Sequence, residues 1–291
     1  MPHQVTVGLD GSPESSAAAE WAAQEALLRE VPLRLVYADE WPVSAAIPVA
    51  GPEVPRWPDE LLAAAAEEMR RLCPSLEVST RRLSGRPAAA LSIEAAEADL
   101  LVLGSRGLGG VTGFLLGSVG MATIGATERP VVLVRASGQP GGRTTAAPGG
   151  SSGDMVVGLD IHHSCDPILD FAFDEAARRG SRLRAVYGWS LPPVVRDASA
   201  LAAAEREVSP DVARCLTGIL APWRQKFPSV EVVERSPLGA PAQQLVRAAA
   251  DAELVVVGRR IRRSPLGAHI GAVAHAVIHH CAAPVAVVAH D

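Results

Sequence analysis

The feature that most constrains the fold is that the chain repeats itself. Val157-Gly-Leu-Asp160 repeats Val7-Gly-Leu-Asp10 at an interval of 150 residues, and Leu183-Arg-Ala-Val-Tyr187 repeats Leu33-Arg-Leu-Val-Tyr37 at the same interval. Further on the interval becomes 154: Gly239-Ala-Pro241 answers Gly85-Arg-Pro87, Val255-Val-Val-Gly258 answers Leu101-Val-Leu-Gly104, and Pro284-Val-Ala-Val-Val288 answers Pro130-Val-Val-Leu-Val134. Five matches in one order are the signature of a tandem duplication. The four extra residues must fall between the second and third strands of the second unit, where added length costs least. Residues 136–153, ASGQPGGRTTAAPGGSSG, are small, polar, Gly or Pro and cannot bury a core, so they read as a flexible linker. The expected organisation is a first module over 1–135, the linker over 136–153 and a second module over 154–291.

Within the first unit, apolar runs alternate with helical patterns. Val5-Thr-Val-Gly-Leu-Asp10 is a buried strand that ends in Asp10-Gly11-Ser12-Pro13, and Ser15–Arg29 is an Ala-rich helix. Leu33–Ala38 is the next strand, Trp41–Pro58 a Pro- and Ala-rich loop, and Asp59 to about Leu72 a helix. Strand Leu76–Arg82, helix Arg86–Glu97, strand Ala98–Leu103, a helix from Ser118 and strand Pro130–Val134 complete the unit. Strand and helix in strict alternation predict an α/β fold, an open parallel sheet with helices on both faces. A chain of 291 residues with 48% hydrophobic residues can fill one large core or two ordinary ones, and the duplication selects two. The final strands, Val131–Val134 and Val285–Val288, are apolar and are expected at sheet edges that need covering.

The stretch with most chemical content is Gly104–Ser118, GSRGLGGVTGFLLGS, in which Gly104, Gly107 and Gly117-Ser118 follow the spacing G-x2-G-x9-G-S. Glycines there let a backbone approach a ligand with no Cβ in the way. A Ser opening a helix can cap it, and the free N–H groups of that first turn can receive phosphate. In such a sheet, ligands bind beyond the C-terminal strand ends where the strand order reverses. If the first and fourth strands are neighbours across that reversal, Asp10 and the Gly104–Ser118 loop share one crevice. Asp10 then suits a ribose hydroxyl or a phosphate-bound Mg2+, or else caps the following helix, and Ala38 leaves an apolar slot for a flat base.

Composition removes several function classes. A net charge of −5 argues against a general nucleic-acid binder. No apolar run approaches a membrane span and the start, MPHQVTVGLD, lacks a leader pattern, so a cytoplasmic location and no membrane partner are expected. Lys226 is the only lysine and stands in a polar stretch away from every Gly-rich loop, so neither a Walker loop nor a kinase-type site can be built. A dinucleotide-binding dehydrogenase fails because Gly8-Leu-Asp-Gly11-Ser-Pro follows the first strand where G-x-G-x-x-G is required. Cys73, Cys165, Cys215 and Cys281 are widely spaced and read as reduced, semi-buried thiols. His275 and His279 have metal-ligand spacing, but Ala276 stands where a zinc protease needs Glu, so a polar helix face is expected. His162-His163, with no carboxylate or Cys partner nearby in sequence, reads as a turn. Neither Ser12 nor Ser118 sits in a G-x-S-x-G elbow.

These residues carry a resemblance. The chain is similar to tandem-domain universal stress proteins of the actinobacterial type: the V-G-x-D-G-S start from Val7 to Ser12, the G-x2-G-x9-G-S loop and the P-V-V-L-V ending match that family's motifs, and His275–Val288 matches the same ending. The resemblance implies two five-stranded parallel sheets of order 3-2-1-4-5, and ATP, with Mg2+, bound by modules that keep the motif. It places Asp10 and Ala38 toward the nucleoside end. It places Gly104, Arg106, Gly107, Gly117, Ser118 and Val119 toward the ribose and phosphates, several through backbone N–H groups, and Gly11, Ser12 and Leu103 belong to the same cofactor site. It also implies a nucleotide-dependent regulator or sensor in stress response, with packed modules forming an intramolecular pseudo-dimer, a homodimer built on it, and protein partners that the sequence does not name.

The second unit departs from the motif. Ile261 stands where the first unit has Gly107, Ala272 where it has Ser118, and Ile161 and His162 replace Gly11 and Ser12. A β-branched residue at a φ > 0 glycine position is strained, and one lost hydroxyl removes a hydrogen bond of about 0.5–1.5 kcal/mol. Arg259, Arg260, Arg262 and Arg263 put positive charge on this loop, which reads best as a solvated face. One competent ATP site per chain is expected, in the first unit. No general base with an orienting partner is evident, so an enzyme is not expected beyond slow ATP hydrolysis. An ATP-using group-transfer enzyme, and a scaffold that binds no nucleotide, remain as alternatives.

Overall fold

The computed structural model describes residues 3–39, 57–105, 117–136, 153–191, 198–261 and 270–291. The chain divides into two compact units, Met1–Thr145 and Ala146–Asp291. The first unit runs β1 (Val5–Leu9), α1 (Pro13–Arg29), β2 (Leu33–Asp39), α2 (Trp57–Leu72), β3 (Val78–Ser84), α3 (Pro87–Ala96), β4 (Leu100–Gly104), α4 (Ser118–Ala126) and β5 (Val131–Val134). The second runs β6 (Met155–Gly158), α5 (Asp166–Arg179), β7 (Leu183–Val186), α6 (Ala198–Glu207), α7 (Ser209–Lys226), β8 (Val232–Arg235), α8 (Pro241–Ala248), β9 (Leu254–Arg260), α9 (Ala272–His280) and β10 (Val285–His290).

Within each unit the described strands pair in parallel. In the first unit β1 pairs with β2 and β4, β2 with β3, and β4 with β5, giving the order β3-β2-β1-β4-β5. In the second, β6 pairs with β7 and β9, β7 with β8, and β9 with β10. The central strands are buried on both faces, which explains why Val5-Thr-Val and Leu100-Leu-Val-Leu103 are apolar without alternation. β5 and β10 stand last in their own unit's order and are buried throughout. In the first unit α1 and α2 pack together on one face, and α3 and α4 on the other.

Pairing partners locate the four added residues. Leu33 aligns with Val78 and Leu183 with Val232, so the extra length lies between β7 and β8, where α6 and α7 replace the single α2. The ends of α7 and α2 are bonded alike: Arg224 donates to the Val232 carbonyl at 3.1 Å as Arg70 does to Val78 at 2.9 Å. Several boundaries differ from the sequence reading: α1 starts at Pro13 rather than Ser15, and β4 at Leu100 rather than Ala98. α2 starts at Trp57, two residues before the expected Asp59, with Pro58 accommodated in the first turn; β3 runs Val78–Ser84 rather than Leu76–Arg82. The expected loop lies mostly outside the described residues.

Arginines tie α3 and α8 to their sheets. Arg34 on β2 and Arg81 on β3 both donate to the buried Glu94 of α3, at 2.8 and 2.9 Å. At the matching place Arg184 on β7 pairs with Asp154 and Asp251 and donates to the Ala248 carbonyl at 2.6 Å.

The duplication also exposes a strained residue. α1 ends on Glu30 at φ 56°, whose N–H bonds the Ala26 and Leu27 carbonyls; α5 ends identically on Gly180 at φ 63°. Only glycine takes this left-handed cap without Cβ strain. Glu30→Gly is therefore expected to stabilise the first unit by about 1 kcal/mol, read by urea denaturation. Unchanged or lower stability would show that Glu30 carries no strain.

Candidate functional site

β1 pairs with β2 on one side and β4 on the other, so the chain reverses its direction of travel across the sheet between β1 and β4. Asp10-Gly11-Ser12 follows β1, Leu103-Gly104 ends β4, Ala38-Asp39 ends β2, and Gly117-Ser118-Val119 opens α4. These segments carry nine of the eleven sequence-derived site residues; Arg106 and Gly107 lie outside the described residues.

The Asp10 turn is built by its own side chains. The Ser12 N–H donates to Asp10 Oδ1 at 3.0 Å, and the Ser12 hydroxyl donates to the same oxygen. Ser12, not Asp10, is the N-cap of α1, accepting from the Ser15 N–H at 3.2 Å. Gly11 sits at φ +79°, which favours glycine, and a Cβ there would meet Trp57 Cζ2 at 3.0 Å, so the Trp57 ring packs close over this turn. Trp57 is half exposed and meets Tyr37 edge-on at 5.5 Å between ring centroids. Burial pushes the Tyr37 phenol up, and the nearby Asp39 and Asp10 carboxylates push it further. Asp39 is held by Arg82, which also reaches Asp59 at 3.5 Å. The sequence reading missed this rim of Tyr37, Asp39, Trp57 and Arg82. The signal was available at Tyr37-Ala-Asp39, the C-terminal end of a strand next to the reversal.

The glycines divide into two kinds. A Cβ on Gly104 would lie 2.6 Å from the Glu14 carbonyl carbon and 2.7 Å from the Ser15 nitrogen, so this residue is glycine because the first turn of α1 packs backbone to backbone on the end of β4. Its missing Cβ therefore serves this packing. Leu103 is likewise a core residue: it is buried, and its Cδ2 would lie 2.8 Å from a Cβ on Gly8. At Gly117 no atom of the described residues lies within 4 Å of a would-be Cβ, and φ is −59°, open to any residue. Gly117 is also the N-cap of α4 and makes no side-chain bond, while Ser118 is the first helical residue rather than the expected cap. The opening N–H groups of α4 are thus presented without a capping side chain, and Val119 beside them is exposed.

The second unit fills the same place differently. Asp160 accepts from the His162 N–H at 3.1 Å and pairs with His163 Nδ1 at 2.8 Å, so His162-His163 has the carboxylate partner that the sequence reading denied it, three residues earlier. Cys165 also lies within this turn, bonded to the Asp160 carbonyl at 3.2 Å. Burial works to raise the Asp160 carboxyl, but the His162 N–H and the His163 ring together hold it below the usual carboxylate range. His162 Nε2 meets the Tyr187 hydroxyl at 3.2 Å. His290, at the position matching Ala136, puts its ring 2.9 Å from a would-be Cβ on Gly258, and burial lowers its pKa. Neither Ile161 nor Ile261 has a positive φ, so the expected strain is absent; the backbone has taken another path. Arg259 and Arg260 belong to β9, and Arg259 is buried with partners, not part of a solvated loop face. Arg262 and Arg263 lie outside the described residues. His279 is buried with its ring 4.3 Å from that of His275, so only His275 fits the expected polar face; no group of three metal-ligating side chains occurs among the described residues.

The pattern of the universal stress protein family matches residues 1–135 and 153–289, which takes in both units. The chain belongs to the universal stress protein family. Among its relatives is the universal stress protein Rv2005c of Mycobacterium tuberculosis, 32% identical over 98% of this chain and 96% of that one. A second from that organism, Rv1996, is 32% identical over 97% of this chain and 94% of its own length. A crystal structure of a universal stress protein from Archaeoglobus fulgidus shares the fold, with a TM-score of 0.63 at 15% identity, covering 99% of this chain and 98% of that one. No helix among the described residues is long and apolar enough to cross a membrane.

The two kinds of glycine are separable by stability. Gly104→Ala is expected to cost about 1–3 kcal/mol, because backbone atoms must move. Gly117→Ala should cost no more than about 1 kcal/mol, the penalty of a poorer N-cap. Gly258→Ala should fall between, since its nearest neighbours are the tips of Ile168 and His290. Urea midpoints in that order support the assignment; a Gly104→Ala protein as stable as wild type would refute it.

Proposed function

We propose that the first unit binds ATP, with Mg2+, in the crevice between the Asp10 turn and the start of α4, and that the protein acts as a nucleotide-dependent regulator. The observation that carries this reading is the start of α4, where Gly117 serves neither backbone strain nor packing against described residues and brings no capping side chain to the helix's opening N–H groups. That arrangement suits an anion at the positive end of a helix. It stands at the C-terminal ends of β1 and β4, where the sheet order reverses. Membership of the family over both units supports carrying the motif's ligand, ATP, to these residues. Asp10, fixed by Ser12, would hold the ribose or the metal; Ala38 would border the base; Gly117, Ser118 and Val119 would hold phosphate through backbone N–H groups, with Arg106 and Gly107 completing the cradle. The first unit contains no lysine, so Mg2+ would supply charge that a phosphate loop elsewhere takes from Lys. In the second unit the imidazoles of His163 and His290 stand around Asp160 and Gly258, which favours one nucleotide per chain.

Isothermal titration of the full chain with MgATP tests this. Wild type should bind one equivalent; Asp10→Ala and Gly107→Val should weaken binding by about tenfold or more, and Asp160→Ala should leave it unchanged. Equal losses from Asp10→Ala and Asp160→Ala would overturn the one-site assignment, and no heat from wild type would favour a scaffold that binds no nucleotide.

A further inference from the structure

The second unit contains a groove of about 610 Å³ between the turn after β6 and helix α7, within the range that holds small organic ligands. Two departures from the first unit create it. α5 begins at Asp166, whereas α1 begins at Pro13, whose counterpart is His163; one helical turn is therefore missing from this wall. The opposite wall is α7, which presents Gly218, Ile219, Pro222, Trp223 and Lys226 along one face. Gly218 has open space where a side chain would stand, and Pro222, inside the helix, gives no N–H to the Gly218 carbonyl.

The lining has two characters. Ile161, Ile219, Pro222 and Trp223 are apolar, and Trp223 is held by stacking on Phe173 and Phe227 at 6.0 and 6.5 Å. Lys226, His162 and His163 supply an ammonium and two imidazoles against one lining carboxylate, Asp166, which already accepts from the Ser164 hydroxyl at 3.1 Å. Lys226 lies 5.0 Å from the Trp223 ring centroid, so cation and aromatic wall are adjacent. Its pair with Asp170 is more than half exposed on both sides and holds it only weakly. His163 commits Nδ1 to Asp160 and leaves Nε2 for a ligand.

We propose that this groove binds a small aromatic acid, its ring against Trp223 and Pro222 and its oxyanion at Lys226 and His163 Nε2. The site is separate from the nucleotide crevice of the first unit and does not depend on it. The probe is naphthalene-2-carboxylate, titrated calorimetrically into the full chain beside the neutral 2-naphthalenemethanol. Wild type should bind one equivalent of the acid, more tightly than the alcohol. Gly218→Leu, which fills the groove and favours the helix, should weaken both by about tenfold or more. Lys226→Gln, at an exposed position, should weaken the acid several-fold and leave the alcohol unchanged. The proposal is overturned by an absence of saturable binding up to about 5 mM acid, the weak end of measurable affinity. Unaltered affinity in Gly218→Leu with an unchanged melting temperature, or displacement of the acid by MgATP, would overturn it as well. Should Gly218→Leu fail to fold, equal affinities of Lys226→Gln and wild type for the acid decide against it.

Discussion

The first unit depends on one contact, the backbone of the Glu14–Ser15 turn lying against Gly104. It brings the start of α1 over the end of β4, and so fixes where the Asp10 turn can stand relative to the reversal of strand order. A side chain at residue 104 would push α1 away and carry Ser12, and with it Asp10, out of place. Close packing of main chain on main chain is available only to glycine, and it transmits position more rigidly than a side-chain contact. The crevice is defined by that packing before any ligand is considered.

In the second unit the same constraint is loosened. Gly258 is retained, but the atoms nearest to it are side-chain tips, those of Ile168 and His290. α5 starts a turn late, and the freed residues His163, Ser164 and Cys165 form a turn around Asp160 instead. The same duplication thus yields one crevice bordered by glycines and a helix start, and another bordered by imidazoles.

Most of the architecture was legible in the sequence because it rests on periodicity. Short apolar runs such as Val5-Thr-Val and Leu100-Leu-Val-Leu103, set between longer helical patterns, read as buried strands, and the change of interval from 150 to 154 located the insertion to one connection. The site was legible as a set of positions but not as a set of roles. Gly104 and Gly117 look alike in a motif, yet one is bare for packing and the other is not; only the distance to Glu14 separates them. The Asp160–His163 pair escaped notice because the turn that joins them lies between β6 and α5, where no hydrophobic period guides the reading. The rim of Tyr37, Trp57 and Arg82 joins β2, α2 and β3, which no local pattern connects, so the sequence marks only its Tyr37–Asp39 end, at a strand terminus beside the reversal.

The shared bond from Arg34 and Arg81 to Glu94 has a consequence for how the chain avoids error. β4 and β5 are apolar on both faces, so nothing in them objects to a neighbour sliding by one step. A one-residue slide of β2 would turn Arg34 to the opposite face, toward the α1–α2 layer, burying a guanidinium without its carboxylate and leaving Glu94 with Arg81 alone. That misfolded frame is heavily penalised, and Arg184 sets β7 in the same manner. In a protein whose two halves share nearly the same strands, these arginines act as proofreading marks for assembly.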